Sequence, residues 1–360
     1  MQEAVFVNHI YNRAFEETSR RCRPVSALFE LTYSCNTRCE HCYLTGFSQR
    51  QAGATDGELT TREIYSILEQ MAEAGVLFLS FSGGEPLLRR DFFEIAKKAR
   101  DLGFALRIFT NGTLVDKKTA SGIAGLDPIE VEVSIYGASA GTHDGVTHIP
   151  GSFDETIQGA ENLLKEGVRV NFKALLMRSN HMEHQDMEAL AEKMGVRFFY
   201  NTQIVPRDNG DRRPVALNMD SDSLLALYTN TSAQKIKEKA ILRRRRQTTR
   251  PICNSGRNTL AISPYGDVYP CVQIRWSAGN LKKEGFTDIW KSSPVLRKIR
   301  RLCMKDLNEC MSCALFDSCS HCPGVSFLET GNFLGCSPLA KSQASALHTA
   351  LKRGDMCDWS

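Results

Sequence analysis

No stretch of this 360-residue sequence reaches the roughly 18 consecutive apolar residues that a membrane span requires. The opening residues, MQEAVFVNHIYNRAFEETSRR, carry acidic and basic side chains throughout and have no apolar h-region, so no export signal is expected. A large charge of one sign is also missing. The 45 Lys and Arg against 41 Asp and Glu leave +4, too little to point to nucleic acid or a membrane surface as a partner. There is no internal repeat and no low-complexity tract. Cysteine is absent from the whole interval between Cys42 and Cys253. A cytoplasmic protein is the expectation from these absences.

What is present is a large core and many cysteines. Hydrophobic residues make up 42% of the chain, enough for one large domain and a smaller one. Thirteen cysteines, an odd number, cannot all pair within one chain. In a chain without export signals they read as metal ligands or catalytic groups rather than disulfides. They fall into two groups, Cys35, Cys39 and Cys42 near the start and the rest, apart from Cys22, from Cys253 onward. Two metal-binding regions are the simplest reading.

Between the groups, apolar runs alternate with amphipathic segments. Strands are expected at 25–31, 77–81, 105–109, 129–135, 168–177 and 197–204, and helices at 61–74, 91–102, 116–124, 152–166 and 184–194. Thr60 and Glu63 form a capping box, and Gly75, Gly103, Gly167 and Gly195 sit where left-handed C-caps are wanted. This alternation predicts parallel strands with right-handed crossovers, an α/β partial (β/α)6 TIM-like barrel whose chemistry lies at the C-terminal ends of the strands. The expected organisation is an N-terminal extension over 1–24, the barrel over 25–206, and a linker and helical segment over 207–250. A small cysteine-rich α+β domain follows over 251–340, then a C-terminal helix and tail over 341–360. A helix is expected over 221–242, and the basic run Arg243–Arg246 reads as its solvated face.

The segment LTYSCNTRCEHCYL follows the first strand and spaces Cys35, Cys39 and Cys42 as C-x3-C-x2-C. Three thiolates on one loop can each hold one iron of a [4Fe–4S] cube and leave the fourth iron without a protein ligand. Structural zinc sites normally want four ligands, which suits this triple poorly. The pattern resembles the radical S-adenosylmethionine (SAM) superfamily, with His41 at the position that family gives to a residue lying against the adenine. Later segments resemble the same family in order: Ser82 through Pro86 (SGGEP) after the second strand, Thr110-Asn111-Gly112 ending the third, Ser134 ending the fourth and Lys173 in the fifth. The resemblance implies a [4Fe–4S] cluster that binds SAM and cleaves it to a 5′-deoxyadenosyl radical. It further implies SAM contacts from His41, Gly83, Gly84, Glu85, Pro86, Asn111, Ser134 and Lys173. Glu85 is expected to meet the SAM ammonium, and Lys173 to lie near the SAM carboxylate. His143-Asp144 falls in a loop at the same face, with no role assigned.

The second group reads C-x12-G-x4-C from Cys253 through Gly266 to Cys271, then Cys310-x2-Cys313-x5-Cys319-x2-Cys322, then Cys336. Gly266 in ISPYGDVYPC marks a hairpin turn. With the following GNLKKEGFTDIW stretch, this resembles the SPASM extension of radical SAM proteins, which holds two auxiliary [4Fe–4S] clusters. Its x2 gap before Cys322 departs from the family's usual x3. The resemblance implies an outer cluster on Cys310, Cys313, Cys319 and Cys336, and an inner one on Cys253, Cys271 and Cys322. The inner set is one ligand short, to be completed by Cys303 or left open for substrate. Cys22, Cys303 and Cys357 otherwise read as plain thiols.

The resemblance implies an enzyme similar to the maturases of PQQ biosynthesis and of anaerobic sulfatases. It would abstract hydrogen from a peptide or protein and pass an electron to the inner cluster, leaving a cross-link or an oxidised residue. The alternatives are a cofactor-biosynthesis enzyme acting on a tetrapyrrole or a tungsten or molybdenum cofactor, a radical epimerase, or a non-catalytic zinc scaffold. An electron donor such as flavodoxin or ferredoxin is expected. So is a separate leader-binding protein, since the 24 residues before the first strand show no leader-binding domain.

Overall fold

The computed structural model describes residues 12–44, 57–229 and 250–357, with side chains through 352. The basic run Arg243–Arg246, the second half of the helix expected over 221–242, and the Cys357 side chain lie outside what is described.

Six parallel strands alternate with helices as the apolar pattern predicts: β1 Ser26–Thr32, β2 Phe78–Gly83, β3 Ala105–Thr110, β4 Glu130–Ser134, β5 Val170–Leu175 and β6 Arg197–Asn201. The connecting helices are α1 Thr61–Glu73, α2 Phe92–Asp101, α3 Lys117–Gly125, α4 Ala140–Thr147, α5 Ser152–Lys165 and α6 His184–Lys193. The capping box forms: the Glu63 N–H donates to Thr60 Oγ1 and the Thr60 N–H to Glu63 Oε2. Gly75 and Gly103 take φ of +90° and +87°, ending α1 and α2 as left-handed C-caps.

The helix-facing side of the sheet is apolar, with Leu79, Phe81, Leu106, Ile108, Val131, Val133 and Phe172 fully buried or nearly so. The opposite face is polar. There Arg107 pairs with Glu130 at 2.7 Å and Lys173 with Glu132 at 2.7 Å. One face is therefore glued by hydrophobic burial, while the other is left for a cavity.

The sheet does not stop at six strands. β7 Thr259–Ile262, from the cysteine-rich segment, pairs in parallel with β1, and β8 Asp267–Tyr269 and β9 Gly279–Asn280 follow antiparallel. The result is one open nine-stranded sheet in the order β6-β5-β4-β3-β2-β1-β7-β8-β9. The hairpin turns where Gly266 (φ +88°) was expected to turn it. α7 Ser221–Thr229 packs against the final helix, Pro338–Cys357.

The structure adds α4, which the sequence pattern did not predict. Its residues AGTHDGVT are poor helix formers. It forms because Ser139 caps its N-terminus and Glu183 accepts from Ala138 N, Ser139 Oγ and Thr142 Oγ1. His143 and Asp144 therefore sit in a helix. His143 Nδ1 accepts from Tyr136 N at 3.2 Å, and Asp144 binds the N–H groups of Gly151 and Phe153 at the start of α5.

α5 lies so close to the loop after β3 that a Cβ on Gly159 would fall 2.1 Å from the Gly112 carbonyl oxygen. In an open helix, Gly→Ala stabilises by about 0.5–1 kcal/mol. Here Gly159→Ala is expected to destabilise by roughly 1–3 kcal/mol through overpacking. Thermal unfolding checks the sign, and a raised midpoint would show that the approach is not tight.

Candidate active site

The C-terminal ends of β1 to β6 open into a cavity of about 360 Å³. Cys35, Cys39 and Cys42 enter it from the loop after β1, and Ser82, Gly83 and Gly84 from the end of β2. Asn111 comes from β3, Ser134 and Tyr136 from β4, Lys173 from β5, and Asn201 and Gln203 from β6. The far wall belongs to the cysteine-rich segment, through Val272, Gln273, Arg275 and Leu328.

The glycines have a steric cause. A Cβ on Gly83 would meet the Thr32 carbonyl oxygen at 2.2 Å, and one on Gly84 the Ser34 oxygen at 2.1 Å. Only glycine lets β2 run this close to the chain leading into Cys35. Asn111 ties the third loop to the first, its Nδ2 donating to Asn36 Oδ1 at 2.8 Å. The loop carrying the cysteines is also held from behind by α4, where Arg38 N and Glu40 N donate to the carbonyls of Thr147 and Val146.

Glu85 and Pro86 do not line the cavity; both are buried. The Glu85 carboxylate is taken up by Thr110 Oγ1 at 2.9 Å, Asn111 N at 2.8 Å and Leu87 N at 3.2 Å, so it joins the second and third loops. Lys173 does reach the cavity, but its ammonium is paired with Glu132 and sits 4.5 Å from the centre of the Phe109 ring. His41 lies in the cavity wall with its ring 4.7 Å from that of Tyr136. Burial lowers its pKa to about 4, so the ring is a neutral, flat surface.

The three thiols fit a cationic cluster. Burial is the main influence on each and raises its pKa, that of Cys39 to about 12; the charge of Glu85 adds to it at Cys35, that of Cys35 at Cys39, and those of Cys39 and Cys35 at Cys42. Three thiolates can coexist here only if a cation neutralises them. Among the described residues no three His, Cys, Asp or Glu side chains converge as ligands of a single ion. A cube takes each thiolate on its own iron and does not need that convergence.

The later cysteines fall into two sets. Cys310, Cys313, Cys319 and Cys336 line one small cavity of about 60 Å³. Cys271 is pushed up to about 11, mainly by burial, with Cys322 and Cys253 as its charged neighbours. The Cys303 thiol is engaged elsewhere, donating to Asp306 Oδ2 at 3.0 Å. Cys322 Sγ instead meets Gln273 Oε1 at 3.2 Å, and Gln273 also lines the large cavity. The second set therefore sits directly behind the cavity wall.

Residues 29–194 match the model of the Radical SAM superfamily, and residues 253–323 match SPASM, an iron-sulfur cluster-binding domain. Over 334 residues, 86% of this chain and 94% of the relative, the sequence is 30% identical to the AdoMet-dependent heme synthase of Methanosarcina barkeri.

The chain belongs to the radical SAM superfamily.

This radical SAM enzyme is also 30% identical to the mycofactocin maturase MftC of Mycobacterium ulcerans over 312 residues, 82% of each protein. In fold it is similar to anSMEcpe with bound AdoMet, at 17% identity and a TM-score of 0.68 over 92% of this chain and 94% of that one. It is similar too to Streptococcus suis SuiB bound to its precursor peptide SuiA, at 16% identity and a TM-score of 0.67 over 91% and 79%. SAM and iron–sulfur clusters are its cofactors. When bound, they supply an electron to the sulfonium of SAM and so a carbon-centred radical. No helix among the described residues is long and apolar enough to cross a membrane.

Sequence reasoning missed Arg275 and its partner. Arg275 gives Nη1 and Nη2 to Glu30 of β1 at 2.6 Å each, and Glu30 is fully buried. Tyr33 and Tyr43 donate their hydroxyls to the same carboxylate, at 3.1 and 2.6 Å. A signal existed in an arginine set inside the apolar run CVQIRW. Glu30→Gln leaves the Arg275 charge buried and is expected to cost about 3–5 kcal/mol. The double replacement by leucines should cost less than either single one, and denaturant unfolding of all four proteins checks this.

Burial raises the Glu85 carboxyl from 4.5 to about 7, although three hydrogen bonds oppose it. A carboxyl raised in the folded state stabilises most below its unfolded value, and that contribution fades as pH climbs through 7. The stability difference between the parent and Glu85→Gln should therefore change between about pH 4.5 and 7 and be flat outside that window. Unfolding measured over a pH series would refute this by giving a constant difference.

Proposed function

We propose that this enzyme abstracts a hydrogen atom from a carbon of a peptide or protein substrate held in the large cavity. The electron left on the substrate then passes into the auxiliary cluster on Cys253, Cys271 and Cys322. Cys35, Cys39 and Cys42 hold the cluster that engages SAM, with His41, Gly83, Gly84, Asn111 and Ser134 shaping the SAM site. Cys310, Cys313, Cys319 and Cys336 hold the outer auxiliary cluster. The observation that carries this reading is Gln273, which contacts Cys322 on one side and lines the radical cavity on the other. An oxidation product needs an electron acceptor within reach of the substrate, and the thiols behind this wall support that reading.

The peptide is supported by the kinship to a mycofactocin maturase and by the likeness to SuiB, which was solved with a precursor peptide bound. A second reading, a tetrapyrrole substrate, is favoured by the heme synthase relative, whose length the match covers almost entirely. A leader-binding protein and a flavodoxin or ferredoxin donor belong to the first reading as partners.

The Cys271→Ala/Cys322→Ala protein is expected to keep cleaving SAM to 5′-deoxyadenosine within about twofold of the parent while losing substrate oxidation. Cys39→Ala should lose both. Anaerobic assays with a neighbour-encoded peptide and with an iron porphyrin, read by mass spectrometry, decide between the substrates. A mass change only in the porphyrin would overturn the peptide reading. Full oxidation by the double variant would overturn the electron route.

A further inference from the structure

Three aromatic rings stack nearly parallel on the surface of the cysteine-rich segment. Phe327 and Phe333 lie 4.4 Å apart at 13°, and Trp276 lies 5.9 Å from Phe333 at 12°. Trp276 and Phe327 keep 39% and 36% of their surface exposed. Phe333 between them is buried at 5%, so the exposed part of this plate is the Trp276 and Phe327 pair, an apolar patch of the kind that marks an interaction site.

Beside it runs the helix Pro294–Arg301, PVLRKIRR. Val295, Leu296 and Ile299 are buried, while Arg297, Lys298 and Arg301 point outward. None of the three is in an ion pair among the described residues. Lys298 Nζ sits 4.9 Å over the Trp276 ring. Arg300 is turned inward instead, donating to the carbonyls of Gly256 and Trp290. A groove of about 760 Å³ runs along the outward cations, with Leu302 and Leu334 also in its wall. Asp306, an acidic residue of that wall, is occupied by the Cys303 N–H and thiol.

The plate is backed by the inner thiol set. Phe333 packs with Ile274 and Ile299, and Cys271 lies against that cluster. One layer of side chains thus separates the exposed Trp276 from Cys271.

We infer that this cationic, aromatic face docks an acidic one-electron carrier protein that exchanges electrons with the inner auxiliary cluster. The inference rests on the reading that Cys253, Cys271 and Cys322 hold that cluster. In the forward step one electron leaves the reduced cluster, which returns to its oxidised state, and the carrier is reduced by one electron. No bond or proton moves. Charge complementarity selects the partner: three outward cations attract an acidic surface, and the plate supplies the apolar centre of the contact.

The test uses the full-length enzyme with its clusters, reduced anaerobically and mixed with an oxidised acidic flavodoxin in a stopped-flow instrument. Arg297→Glu/Lys298→Glu/Arg301→Glu is expected to slow electron transfer about tenfold or more at low salt. The parent's rate should fall with ionic strength, and the variant's should not. Trp276→Leu should slow transfer without changing the salt dependence. Reduction by dithionite, iron content and the inner-cluster EPR signal should match the parent in both variants. An unchanged flavodoxin rate in the triple variant overturns the inference. So does oligo(dT) binding that the triple variant loses while its flavodoxin rate is kept, because the face then serves nucleic acid. If Cys271→Ala removes no EPR signal, the cluster reading fails, and the docking inference with it.

Discussion

The site is organised around one buried carboxylate. Glu30 lies near the end of β1 with no solvent exposure, where a lone charge would be costly. Arg275 meets it with two hydrogen bonds, and the hydroxyls of Tyr33 and Tyr43 complete its shell. Tyr33 and Tyr43 bracket the loop that carries Cys35, Cys39 and Cys42, while Arg275 follows Cys271 by four residues. A single ion pair therefore fixes the first thiol set relative to the second. The cation of Arg275 also lies between the Tyr43 and Tyr269 rings, about 5 Å from each, which limits its freedom further.

The continuous sheet does the same at larger scale. Because β7 pairs with β1 strand to strand, the cysteine-rich segment extends the barrel wall rather than hanging from a linker. Val272 and Gln273 follow Cys271 directly, so the chain that places a thiol also places the cavity wall. Distance between the two sets is then a property of hydrogen-bonded backbone, the stiffest part of the molecule.

Much of this was legible in advance, for identifiable reasons. The apolar runs of the first five parallel strands are strong because each carries fully or nearly fully buried apolar residues, whereas β6 buries its apolar side chains only in part. The glycine pairs and caps were readable because a steric rule demands them, and the contacts at Gly83 and Gly84 show that rule acting. The cysteine groups were readable because ligand spacing is local. α4 was missed because its stability comes from Glu183, about 40 residues away, and not from its own residues. The partners of Glu85 were not legible because a motif names a residue without giving the direction of its side chain. The ion pair of Lys173 was not legible because its partner, Glu132, sits on a neighbouring strand whose register the sequence does not reveal.

The sequence alone determined the chemistry available to this protein: three thiols on one loop, glycines where chains must touch, and seven more cysteines in a spaced array. These depend on residue type and short-range spacing, which are written in the chain itself. Only the tertiary structure decided which groups face the cavity, that Arg275 and Gln273 form its far wall, and that the Cys303 thiol is held by Asp306. Those outcomes depend on contacts between residues as much as 245 positions apart, Glu30 and Arg275 among them. Which buried polar group meets which partner over such a span is settled by packing, not by local pattern.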